Sequence, residues 1–148
     1  MNEHGLIAPV VVLAAWSLIM LLWLYATRIP AMSRAKIKPG AASKAQMDAL
    51  PGWAVNPANN YNHLMEQPTI FYAIAFALQL LEQTQEINIM LAWAYVAIRV
   101  VHSIVQATVN IIIVRFLIFS AGSLVLMALT FHALIAVGAV DLHLPHPS

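Results

Sequence analysis

Four side chains of the segment that leads into the second apolar run have the types and spacing of a working surface: Asn59, Asn62, His63 and Glu66 stand at i, i+3, i+4 and i+7. On a helix that spacing puts all four on one face. A second set, Arg99, His102, Ser103, Gln106 and Asn110, is spaced i, i+3, i+4, i+7 and i+11 inside the next long apolar run. Ionisable and amide groups within hydrocarbon are expensive and normally face a bundle interior or a water-filled cavity. The two stripes therefore describe a polar cavity open to the cytoplasm, walled by a carboxylate, a guanidinium, imidazoles and amides. Polar groups also join membrane helices through hydrogen bonds of about 0.5 to 2 kcal/mol each. That reading is preferred for Asn59 and Asn110 taken alone. For Arg99 with His102 and Glu66 function is preferred, since structural glue can be neutral and a buried charge is costly.

The elements that must position these groups lie in a bilayer. The chain is 61% hydrophobic and 9% charged, against an apolar share near one half in soluble domains. A hydrocarbon core of roughly 30 Å needs about 20 apolar residues as helix, and residues 6–26 supply the first such run. The leader MNEH has no positive charge and no cleavage site follows, so this run is expected to remain as a span. The absence of Cys removes disulfides, thiolate metal sites and a Cys nucleophile. Five of the seven Lys and Arg residues (Arg28, Arg34, Lys36, Lys38, Lys44) fall in the segment after the first run, which makes the 28–55 loop cytoplasmic by the positive-inside rule. Nucleic acid is not a partner expected of this patch, because few aromatics interleave it and spans flank it.

Pro30, Pro39-Gly40 and Pro51-Gly52 read as turns in that loop, with short helical turns possible in MSRAK and ASKAQMDAL. Asn56-Pro57 reads as a cap followed by a first-position proline, so the second helix is expected from about Pro57 to about Leu81, kinked at Pro68. LEQTQEIN (81–88) is acidic and lacks Lys and Arg, placing it on the outer side. The 52 residues from Ile89 to Val140 would make one helix about 78 Å long, so they must fold back once, with the turn expected between Asn110 and Arg115. The fold class is all-α: one membrane domain over 1–148, a four-helix bundle with spans near 6–26, 60–81, 89–110 and 116–140 and both termini outside. With Glu86 as common origin, Glu66 and Gln106 fall level, and Arg99 lies about 10 Å further outward, too far for a direct ion pair without tilt or a kink. His132 reads as a packing residue, and His4, His143 and His146 as solvated, so no metal site is expected.

In order and topology, NHLMEQPTIFY (62–72), IRVVHSIVQ (98–106) and the Arg99 to Arg115 spacing resemble the membrane-associated proteins in eicosanoid and glutathione metabolism. The resemblance covers nearly the whole chain. It implies a left-handed four-helix bundle assembled as a homotrimer, with glutathione as co-substrate bound between subunits near the cytoplasmic leaflet. It further implies that Arg115 stabilises the glutathione thiolate, that Glu66 holds its amino end, and that Arg99 and His102 occupy the matching positions of the third helix. A nearby guanidinium lowers a thiol pKa from about 8.5 and so raises the thiolate fraction at neutral pH. The chain departs from the family pattern where Asn59 and Asn62 replace two Arg residues, His63 replaces an Asn, Gln106 replaces a Tyr, and Phe116 follows the catalytic-type arginine.

Two functions follow. The first is a membrane glutathione transferase or peroxidase acting on lipophilic electrophiles that arrive laterally from lipid. Arg115 would activate the thiol, and Asn59, Asn62, His63, Glu66, Arg99, His102 and Gln106 would position the tripeptide. The second is a non-catalytic lipid-binding or accessory protein of the same fold, favoured by the missing Arg pair and Phe116 and disfavoured by the presence together of Glu66, Arg99 and Arg115. A transporter is not supported, as the chain has no internal repeat and no broken helix beyond Pro68.

Overall fold

A computed structural model of the chain describes residues 4–140. All regular structure among them is helical: α1 (Ile7–Arg34), a 3₁₀ turn (Pro39–Ala41), α2 (Lys44–Asp48), α3 (Gly52–Leu64), α4 (Pro68–Leu80), α5 (Glu86–Ala107) and α6 (Ile112–Ala136). Three of these, α1, α5 and α6, are long and apolar enough to cross a membrane, as befits an integral membrane protein. Long-range packing sets α5 against α6 and α1, α3 against α1 and α5, and α4 against α6 and α1. His143 and His146 lie outside the described residues, as does the tail expected on the outer side.

Three local readings are corrected. First, α1 does not stop near Ala26 but runs on through Pro30 to Arg34. Proline removes one ladder hydrogen bond, yet Ala31 is buried against Leu50 and Ala54, and this packing with α3 holds the last turns helical. Arg28 and Arg34 therefore sit on a helix, not in a loop. Second, α3 begins at Gly52, with extended Pro51 before it, and runs through Pro57. Asn56 is interior to the helix and does not cap it. Third, Pro68 does more than kink the helix. With no N–H to offer Leu64, it opens a new helix, and Met65, Glu66 and Gln67 form a turn between two 13-residue helices. Within the expected helical turn of ASKAQMDAL, Ser43 and Gln46 make a reciprocal capping box.

The break is tied down from both sides. The Gln67 side-chain amide donates to Ser123 Oγ on α6 at 2.8 Å and accepts from Tyr95 Oη on α5 at 3.2 Å. Beneath it lies the main core, where the buried Phe71 and Tyr95 rings stack at 4.6 Å. At the opposite end of the helices Asn88 anchors the α4–α5 turn through the carbonyl of Gln83, and His132 Nδ1 lies 2.5 Å from Asn88 Oδ1, a packing role as expected.

The turn between α5 and α6 spans residues 108–111, slightly earlier than expected, so Arg115 belongs to the first turn of α6. Against α5, α6 presents Gly122, which is buried. A Cβ there would stand 3.2 Å from Ile98 Cγ2 and 3.9 Å from Tyr95 Cε2, so the helices approach closely because this residue lacks one. Gly122→Leu is expected to cost about 1–3 kcal/mol by overpacking, and Gly122→Ala distinctly less. Thermal unfolding in detergent measures both, and a Leu variant that melts with the parent would refute the close contact.

Candidate functional site

The level of each polar group is set by two contacts between α3 and α5. Asn110 Nδ2 donates to Asn56 Oδ1 at 3.0 Å, and Arg99 Nη2 donates to the backbone carbonyl of His63 at 3.2 Å. These contacts correct the levels expected from the sequence: His63, not a residue further outward, stands opposite Arg99. The chain reverses near Gln83, between the end of α4 at Leu80 and the start of α5 at Glu86, so Glu86 was the wrong origin. Between the two contacts Asn60 comes level with Ser103, and both are fully buried with polar atoms that find no hydrogen-bond partner among the described residues.

The α3 stripe faces outward from this seam. Asn59, Asn62, His63 and Glu66 line a cavity of about 270 Å³ together with Gln106, Asn110 and Arg115. Of the expected site residues Arg99 and His102 are not in this wall. Arg99 is 1% exposed, packs over the Phe119 ring at 5.8 Å, and keeps its Nε and Nη1 without partners among the described residues. His102, 2% exposed, turns to a second space of about 250 Å³ that it lines with His63, Ile112, Arg115, Phe116 and Phe119. That lining is mainly apolar, and Phe116 is 62% exposed on the outer surface of α6. A third groove, about 310 Å³, shares Asn59 and Asn62 with the polar cavity and reaches Arg28 and Lys44.

Arg115 is held in place by a short relay. Its Nη1 donates to Asn110 Oδ1 at 2.6 Å, and Asn110 in turn bonds Asn56. Asn110 adopts φ +52, a left-handed conformation that asparagine tolerates better than most residues, so its backbone makes the turn while its side chain aims the guanidinium. The Arg115 Nε–H is buried and has no partner among the described residues. His63, near the C-terminal end of α3, is half-buried, with Nδ1 3.6 Å from Glu66 Oε2 and its ring 6.4 Å from that of His102.

The stripes named most of these groups in advance. They missed Asn56, which anchors Asn110, and Phe119, which underlies both Arg99 and His102. Phe119 follows Arg115 by four residues and shares its helical face, a signal available in the sequence. Nothing comparable marked Asn56, which read as a cap.

Apolar helices of spanning length, with a polar cavity and a mainly apolar one side by side, define an α-helical integral membrane protein. The chain belongs to the MAPEG family, whose model matches residues 6–135. This is a family of membrane proteins of glutathione and eicosanoid metabolism. No curated protein and no solved structure matches the chain.

Proposed function

We propose that the protein is a glutathione-dependent transferase or peroxidase acting on lipophilic electrophiles, working as a homotrimer of four-helix bundles with its basic segment in the cytoplasm. One observation carries the reading: Arg115 and His63 line both the polar cavity and the apolar space, so one guanidinium serves the boundary where a water-borne thiol would meet a lipid-borne partner. Arg115 stabilises the thiolate there. Glu66, exposed on the turn between α3 and α4, receives the amino group of the tripeptide, and Asn59, Asn62, His63 and Gln106 orient its backbone. Arg99 acts from behind the wall by fixing the end of α3, and the His102 ring stands edge-on to that of His63.

The departures from the family pattern weigh less in three dimensions than along the chain. Asn59 and Asn62 carry no charge, but the groove they share with the polar cavity contains Arg28 and Lys44, two cations that suit the carboxylates of glutathione. The reading of a non-catalytic lipid-binding or accessory protein is favoured by the exposed Phe116 beside Arg115.

Titration of the detergent-solubilised protein with glutathione decides between them. Binding is expected as measurable heat and a rise in unfolding temperature at millimolar ligand, and conjugation of a standard electrophile only when glutathione is present. Neither heat nor stabilisation at that concentration would leave the non-catalytic reading.

A further inference from the structure

His63 is the imidazole at the boundary. It lines the polar cavity with Asn59, Asn62, Glu66, Gln106, Asn110 and Arg115, and the apolar space with Phe116, Phe119 and His102. Its backbone is pinned, because the carbonyl accepts from Arg99 Nη2 at 3.2 Å. Its Nδ1 stands 3.6 Å from the Glu66 carboxylate, whose side chain is 68% exposed. The ring thus has water-side contact through Glu66 on one side and an apolar space on the other. His102 lacks this double access, being buried with its Nδ1 unpartnered.

We infer that His63 is the proton donor of the site when the partner is a hydroperoxide. The inference rests on the proposed glutathione chemistry. A displacement that expels halide needs no acid, because the leaving anion is stable in water. Cleavage of an O–O bond next to an apolar space expels an alkoxide, a strong base that leaves well only if protonated as it departs. The thiolate sulfur attacks the terminal peroxide oxygen, the S–O bond forms and the O–O bond breaks. The departing electron pair goes to the alkoxide oxygen, which takes the His63 proton and becomes an alcohol. The sulfur is oxidised by two electrons to a sulfenic acid, and the peroxide is reduced by two. A second glutathione condenses with the sulfenic acid to give the disulfide and water. His63 regains its proton from the polar cavity along Glu66.

The charged and titratable groups facing His63 are Glu66 on its own segment, Arg99 and His102 on α5, and Arg115 on α6, with Arg28 of α1 beyond Asn59 and Asn62. Burial and the guanidiniums of Arg115 and Arg99 oppose the imidazolium, and Glu66 favours it.

The test compares wild type and His63→Asn with glutathione and two partners, cumene hydroperoxide and chlorodinitrobenzene. Both activities fall in the variant, but the ratio of peroxide reduction to conjugation is expected to fall by about 10²-fold, the low end of what a general acid contributes. In wild type, peroxide reduction relative to conjugation declines as pH rises through the imidazole titration, since the acid form is required, and this limb vanishes in the variant. Residual conjugation and the unfolding temperature report that the variant is folded. Equal loss of both activities, or an unaltered pH limb, overturns the assignment and makes His63 a positioning residue. A wild type that conjugates but does not reduce the peroxide overturns it too, while the glutathione reading stands. A wild type that does not bind glutathione overturns both.

Discussion

Arg115→Ala is expected to lower kcat/KM for conjugation by about 10²-fold or more while shifting the unfolding temperature little. The free thiol of glutathione, with a pKa near 8.5, is only a few per cent ionised at neutral pH, and a guanidinium within contact lowers that pKa by about 1–3 units. Removing a donor preorganised toward a developing or resident anion costs about 10²–10³ in rate. The cost to the fold is a single side-chain hydrogen bond, Arg115 to Asn110, worth about 1 kcal/mol. Arg115→Lys keeps the charge but loses the planar fork, and so is expected to fall between the two. The ultraviolet absorbance of the bound thiolate gives a direct reading: it should be present in wild type and absent in the alanine variant. An alanine variant with full turnover would remove Arg115 from the chemistry.

Asn110→Asp is expected to have the second largest effect, reducing conjugation by more than tenfold through charge alone. Asn110 Oδ1 already lies 2.6 Å from Arg115 Nη1, so a carboxylate there would form a charge-assisted pair with the same guanidinium. The positive charge proposed to stabilise the thiolate would then be neutralised locally. Aspartate shares asparagine's tolerance of positive φ, so the φ +52 turn is kept and the backbone is not the cause of the loss. The Asn56 amide can turn over and donate Nδ2 to the new carboxylate, so the tie between α3 and the α5–α6 turn is kept. Asn110→Gly serves as the contrast: it removes the aim of the guanidinium but not its charge, and should retain more thiolate than the aspartate variant. Thiolate absorbance against pH measures this order, and the reverse order would refute the relay.

The pattern of polar residues along the chain carried a large part of this site. Asn59, Asn62, His63 and Glu66 converge with Gln106 and Arg115 because helical period and the high cost of polar groups in hydrocarbon operate locally, and both are visible in spacing. The helix boundaries were less visible. Pro30 and Pro57 stop isolated helices, yet both lie inside helices here, because Ala31, Leu50 and Ala54 pack α1 on α3 and outweigh the lost hydrogen bonds. The level of Arg99 is not legible in spacing for a related reason. Counting along the chain assumes where a turn reverses, and the reversal near Gln83 is fixed by the contacts of Asn88 and the end of α4.

Legible along the chain were a helical protein apolar enough for a membrane, a cluster of cations after the first apolar run, and two polar stripes at helical spacing; composition and periodicity suffice for these because each depends on a residue and its near neighbours. Tertiary structure alone decided which polar groups share a wall. It buried Arg99 and His102 behind the cavity, set Arg115 on Asn110 and Asn56, and put His63 between a wet space and an apolar one. Those placements depend on the register of one helix against another, which is fixed by packing between residues distant in the chain, such as Gly122 against Ile98.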